Sequence, residues 1–323
     1  MSDETRQYQT PRRQPQRSPA RFARWLTGKL RSRLAAGVTH LTTGSGPTLD
    51  YSSPPGDPGL FGPDSMCWKV HADFTSMMTG GISALMLQAL HPLALAGVWD
   101  HSMFRTDILG RLRRTATFIA GTTFGSRHDA LALIERVKRI HLGVSGMAPD
   151  GRPYRASEPA LLTWVHVAEV SSFMTAHLRY VNPALSVVAQ DQYFEETAQI
   201  AHMLGAADVP RSRTEIDAYL LAMQPELIAS ERTRELVGIL TNAPAPSAAM
   251  RPAGALMFNA GVDLLPDWAQ TMLGFERYAL IRRAVARPGV RLVAPVIRWA
   301  LVNGVSKRAR RRVAATSDVD GSR

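Results

Sequence analysis

Cysteine is nearly absent: the 323-residue chain has one, Cys67, so no internal disulfide framework can hold it together. Its Arg- and Pro-rich beginning lacks the apolar stretch of a secretory signal, and a reducing cytoplasm is the expected setting. Acidic residues are short as well, with 38 Lys and Arg against 27 Asp and Glu, a formal charge of +11. No helix-turn-helix, zinc-finger or aromatic RNA-binding pattern accompanies that charge, so specific nucleic-acid binding is not expected. A P-loop, a Gly-x-Ser-x-Gly elbow, a Gly-x-Gly-x-x-Gly fingerprint and a His-Glu-x-x-His zinc motif are all missing, which removes nucleotide and hydrolase chemistry. A di-iron carboxylate bundle needs Glu-x-x-His pairs, and the chain offers only the reverse order, His166-x-x-Glu169. There is no series of alternating strands and no internal repeat.

What is present is helical. With 45% hydrophobic residues the chain can bury a sizeable core. Residues 1–65 read as a basic disordered head, an amphipathic helix from Arg21 to about Ala36 and a Gly/Pro-rich linker. Residues 66–305 read as the folded domain, and 306–323 as a basic disordered tail. Solvated tails are one reading of these charges, and peripheral contact with an anionic membrane is the other. Phe74 to Trp99 holds no Asp, Glu, Lys or Arg and is long enough to span a bilayer. Gly80, Gly81, Gln88, His91 and Pro92 interrupt it, which favours two buried helices joined near His91-Pro92. Further helices are expected over 107–123, 128–144, 157–180 with Ser157 as N-cap, 183–204, 214–229, 230–240, 266–274, 275–286 and 290–303, with a short strand or turn at 151–155. The class is all-α.

Histidine and arginine recur on apolar faces of these helices. His141 flanks the stripe Leu131, Ile134, Val137, Ile140 and Val144, and His166 follows Leu162 by one turn on the side of Val170 and Phe173. Each is either a hydrogen-bonded core residue or a ligand of a shared metal or haem. His177, farther along, is expected to be more exposed. Arg111 and Thr115 share a face with Arg114 beside them, a guanidinium and hydroxyl suited to an anionic group. The competing reading is a solvated basic face with Thr115 bonded back to its own helix.

Several segments in this order resemble the family of rubber oxygenases (latex clearing proteins) and MpaB-type oxygenase catalytic domains. They are Gln88-Ala89-Leu90-His91-Pro92, His101-Ser102-x-Phe104-Arg105, Arg111-x-x-Arg114-Thr115, Phe124-Gly125, His141-x-x-Val144-x-Gly146, Gly151-x-Pro153-Tyr154-x-Ala156, Trp164-Val165-His166 and Leu264-Leu265-Pro266-x-Trp268. The resemblance implies a globin-like helical core with additional C-terminal helices, haem b and dioxygen, and the departure at Arg114 from the rubber-cleaving members points to a smaller hydrophobic or prenyl-like substrate rather than polyisoprene. It implies His141 as the iron ligand and Arg111 and Thr115 as the catalytic pair of the pocket helix; with them, His166 and Arg114 are expected as cofactor-binding residues from their places on the neighbouring helical faces. Arg114 stands where rubber-cleaving members carry a lysine, and a guanidinium that stays protonated cannot replace that lysine on iron. The family's glutamate base has no motif match, and Asp100 is only nearby in sequence. A haem or hydrophobic-ligand binding protein without turnover and a cofactor-free helical interaction protein are the rival readings.

Overall fold

The computed structural model describes residues 49–315 except 246 and 302, so the amphipathic stretch after Arg21 lies outside the described residues. Helices α1 (Met66–His71), α2 (Phe74–Gln88), α3 (Pro92–His101), α4 (Ile108–Phe124) and α5 (Arg127–Leu142) lead into a hairpin of β1 (Ser145–Met147) and β2 (Pro153–Arg155). There follow α6 (Pro159–Tyr180), α7 (Val187–Leu204), α8 (Arg213–Met223), α9 (Glu231–Thr241), α10 (Arg251–Leu264), α11 (Asp267–Met272), α12 (Ala279–Ala300) and α13 (Val305–Ala314). Among the described residues the protein is all-α apart from that one antiparallel hairpin, in which Gly146 faces Tyr154.

Local chemistry sets the helix starts. Asp73, Asp107, Ser126, Ser186, Ser212 and Ser230 each accept a backbone N–H of the first turn, and Ser230 with Thr233 forms a reciprocal capping box. The expected cap Ser157 is not used: Glu158 holds the N-cap of α6 without a side-chain bond, and Pro159 supplies the first turn. α7 begins at Val187 rather than near Pro183, because Ser186 caps it.

The centre is α2, against which α6 and α10 both pack, while α12 covers α10. Glycines permit the approach. A Cβ on Gly80 would come within 2.9 Å of Phe173, and one on Gly261 within 2.6 Å of Ile82. Trp164, Met86, Leu87, Leu90, Phe104, Tyr193 and Phe194 are fully buried around this contact. Phe74 to Trp99 is indeed two helices, bent by 105° at the break, and no single helix among the described residues is long and apolar enough to cross a membrane. The break is a hub: Gln88 donates to Val165 O, Thr233 Oγ1 to Ala89 O and the Ile228 N–H to Leu90 O, and the His91 ring accepts from the Ala94 N–H.

Two further expectations need correction. Separate helices ending at Ala286 and starting at Val290 are one helix, α12, with Pro288 and Pro295 inside it. Buried Ala286, Val290 and Ala294 pack along its inner side, and this tertiary packing offsets the roughly 3 kcal/mol that an interior proline costs. The basic tail expected from residue 306 is helical to Ala314. Arg312 is buried there and donates to the carbonyls of Asp57, Tyr51 and Gly125, tying the chain before α1 to the turn after α4.

Candidate active site

Helices α2, α4, α5, α6, α10 and α12 border a large cavity, open on one side, of about 2130 Å³. Pockets for drug-sized ligands measure roughly 300–1,000 Å³, so there is room for more than one small molecule. Met77, Ile82, Leu85, Leu112, Ile119 and Phe173 make much of the wall apolar. Polar groups stand around this wall: Glu169 and Gln88 on the α2–α6 side, His71 at the end of α1, Arg113, Arg114, Thr115 and Arg136 on α4 and α5, and Asp73, Asp107, Arg251, Arg298, Lys307 and Arg308 on the remaining sides.

Glu169 stands in the middle of α6, where its neighbours Val170 and Phe173 are buried apolar residues. It makes no hydrogen bond or ion pair with a described side chain, and burial pushes its carboxyl up to about 7. A carboxyl in that condition changes protonation near neutral pH, as a general acid or base requires.

His71 is fixed from both sides. Its Nδ1 shares a hydrogen bond with Thr123 Oγ1 at 2.8 Å and its Nε2 one with Tyr193 OH at 2.9 Å, while Cys67 Sγ approaches Nδ1 at 3.7 Å. Burial, with a smaller contribution from His177, lowers its pKa to about 3, so the ring is neutral. Burial, aided slightly by the negative charge of Glu196 and opposed by the contact with Thr123, pushes the Cys67 thiol above its usual range, leaving it an unreactive packing residue.

The residues singled out in the sequence are distributed unevenly. Thr115 lines the cavity, and its Oγ1 donates back to the Arg111 carbonyl at 3.2 Å, as in the competing reading of that helix face. Arg111 sits a turn earlier with Nη1 donating to Ser102 Oγ at 2.9 Å, and burial followed by the charge of Arg114 lowers its pKa. Arg114 borders the cavity with a side chain 62% exposed, 3.8 Å from Asp107. His141 is half-buried; Val137 and Ile140 beside it form the wall, and His141 is not part of it. Its Nδ1 is buried without a partner, and desolvation lowers its pKa. His166 is likewise off the wall, with Nε2 buried and unpartnered and a pKa lowered to about 4 by burial and then by His202. His177 is buried rather than exposed, because α6 is covered along most of its length.

Asp100 is committed elsewhere. It accepts from Tyr154 OH at 2.6 Å and lies 3.8 Å from Arg232. This explains two pieces of the sequence pattern, since a Cβ on Gly146 would sit 2.6 Å from the same Tyr154 oxygen. No group of three or more metal-ligating His, Cys, Asp or Glu side chains exists among the described residues. Sequence reasoning missed Glu169 as a cavity group, although the His166-x-x-Glu169 pair marked its position, and missed the His71–Thr123–Tyr193 chain, for which no local signal exists.

Among the described residues, a mainly helical shell surrounds a large cavity whose wall is mostly apolar and carries ionisable groups at several points. Residues 68–299 match the family model of the ER-bound oxygenase mpaB/B' and rubber oxygenase catalytic domain. The chain belongs to this oxygenase family. Neither the curated proteins nor the solved structures contain a match to it.

Proposed function

We propose that the protein is a haem-dependent oxygenase that oxidises a hydrophobic, prenyl-like small molecule with dioxygen, and that Glu169 handles the proton. The observation behind this reading is the unpaired carboxyl of Glu169 facing a large apolar cavity inside an oxygenase-family domain. A carboxyl in such a place is costly to keep unless it does chemistry.

The residues present suit haem b. His141 is a neutral imidazole with an unsatisfied buried nitrogen, the state an iron ligand requires, and one ligand needs no three-residue cluster. Arg113, Arg114 and Arg136 border the cavity and complement the two carboxylates of such a cofactor. In this reading His141 holds the iron, Arg114 meets a propionate, His166 supports the ligand shell and the helices form a globin-like core. When bound, haem supplies the redox centre for dioxygen.

The protein's own contribution is positioning and proton management. The apolar part of the wall, with Met77, Ile82, Leu85 and Phe173 beside Glu169, takes up the apolar body of the substrate and withdraws it from water there. Above pH about 7 the Glu169 carboxylate can take a proton from a substrate carbon or hydroxyl; below it the neutral acid donates. Thr115 Oγ1 can turn from the Arg111 carbonyl toward the cavity and donate to an oxygen anion. Arg111, anchored on Ser102, positions that helical turn and contributes a fixed positive charge.

The test is the absorption spectrum of the full chain purified from haem-supplied cells, followed by oxygen consumption with prenyl compounds. A Soret band that His141→Ala removes is the expected result. Wild-type protein without a Soret band would exclude the haem reading.

A further inference from the structure

The outer face of α12 is apolar and exposed. Leu292 is 79% exposed, Ile281 63% and Val285 62%, and the stripe continues through Pro288 to Val296 and Trp299. Positions 281, 285, 288, 292, 296 and 299 recur at three- and four-residue spacing, so they lie along one side of the helix. The stripe runs down the outside of the molecule, opposite buried Ala286, Val290 and Ala294.

Its flank is basic. Arg291 lies at the edge of the stripe and, with Arg179 and Arg213, lines an open cleft of about 430 Å³ together with Thr175, Leu178 and Pro183. Arg213 is already paired with Asp217 at 2.8 Å. Arg179 and Arg291 meet no carboxylate of the described residues at ion-pair distance, and between Glu276 and Asp318 the chain contains no Asp or Glu at all. Exposed apolar surface edged by uncompensated arginines suits the headgroup boundary of an anionic bilayer: the apolar side chains enter the acyl region while guanidinium groups meet phosphates.

The inner side of the same helix bears on the cavity. Val293, Val296 and Ile297 line it, so Val296 belongs to both surfaces. We propose that the protein docks on anionic phospholipid bilayers through the Ile281–Trp299 face of α12, with a phospholipid phosphate in the Arg179–Arg291 cleft, and that hydrophobic substrate enters the cavity beside this helix. The docking surface is distinct from the basic residues of α13, whose Arg312 is turned inward. Substrate entry rests on the oxygenase reading; docking does not.

The experiment is co-sedimentation of the full chain with phosphatidylcholine vesicles, with and without phosphatidylserine. Alongside the parent chain, I281D/L292D and R291E are compared, and circular dichroism verifies that each is folded. The parent is expected to bind the phosphatidylserine vesicles and largely ignore the neutral ones. I281D/L292D should bind at least about tenfold more weakly, since two apolar side chains are withdrawn from the acyl region. R291E should lose roughly fivefold for each unit of charge changed and lose most of its preference for phosphatidylserine. Three results would overturn the docking surface: a parent chain that ignores both vesicles; folded variants that bind as the parent does; or binding unaffected by the stripe and abolished by deletion of residues 1–48. A parent dimer in solution that I281D/L292D converts to monomer would assign the face to a second copy and overturn it equally. Vesicle binding is scored without haem or turnover, so its failure is separate from failure of the oxygenase reading.

Discussion

Glu169 carries its carboxyl into an apolar cavity with no cation beside it, and its protonation follows from burial alone. Once a substrate is in hand, oxygen consumption is expected to show an inflection near pH 7 that Glu169→Gln removes along with most of the rate. An inflection that persists in Glu169→Gln would reassign it to another group. Thr115→Ala is expected to lower turnover roughly 10²-fold to 10³-fold, the usual effect of losing one donor to a developing anion, with little change in melting temperature because its present partner is only the Arg111 carbonyl. Equal turnover in that variant would make Thr115 structural. Helical spacing put His141 and His166 on the apolar flanks of their helices; both are half-buried, each with one ring nitrogen shielded from water, and neither lines the cavity. The place of Glu169 on the wall was not legible in the sequence, because that wall is assembled from residues as far apart as Phe74, Phe258 and Ile297, and one helix's periodicity cannot say what stands opposite it.

Helices α12 and α13 show where reading by element reaches its limit. Local rules place a stop at Ala286 because Pro288 follows it; tertiary packing of Ala286 and Val290 carries the helix through. Charge alone sends Lys307 to Arg312 into solvent, yet Ala309 and Arg312 are buried, since one side of that short helix faces Tyr51, Trp68 and Phe124. The capped starts at Asp107, Ser126 and Ser230 were legible within a residue or two, because a cap is a local event. Arg312→Met is expected to destabilise the fold by about 3 kcal/mol, since it leaves the carbonyls of Asp57, Tyr51 and Gly125 without their charged donor. Gly59→Ala should loosen the same junction. The backbone there has φ +74°, and the new Cβ would meet Gly125 O at 2.5 Å. Urea denaturation of both variants measures this, and a midpoint equal to the parent's for Arg312→Met would show the clasp to be dispensable.

Across the whole molecule, buried histidines set the response to acid. His71, His91 and His166 have pKa values lowered from 6.5 to about 3, 4 and 4, each by burial first. In the folded protein they stay neutral down to those values, whereas in the unfolded chain they take up protons below 6.5. Their contribution to stability is therefore present above 6.5 and lost as pH falls toward 4. Glu169 has the opposite sign: its folded pKa of about 7 exceeds the ordinary 4.5, so the folded state holds one more proton through that window and stability from this group falls as pH rises. Three protons taken up on unfolding, less one released, leave about two between pH 4.5 and 6.5. At 1.36 kcal/mol per proton and pH unit, these four groups alone should make stability fall by roughly 2.7 kcal/mol per unit on acidification. His141 and His177, also lowered by burial, act in the same direction. Urea midpoints measured through this range on the haem-free chain test the slope. Glu169→Gln supplies the internal check: removing the one group that opposes the histidines should make the fall with acid steeper. A flat profile, or a shallower one in the variant, would mean that these side chains reach water in the folded state.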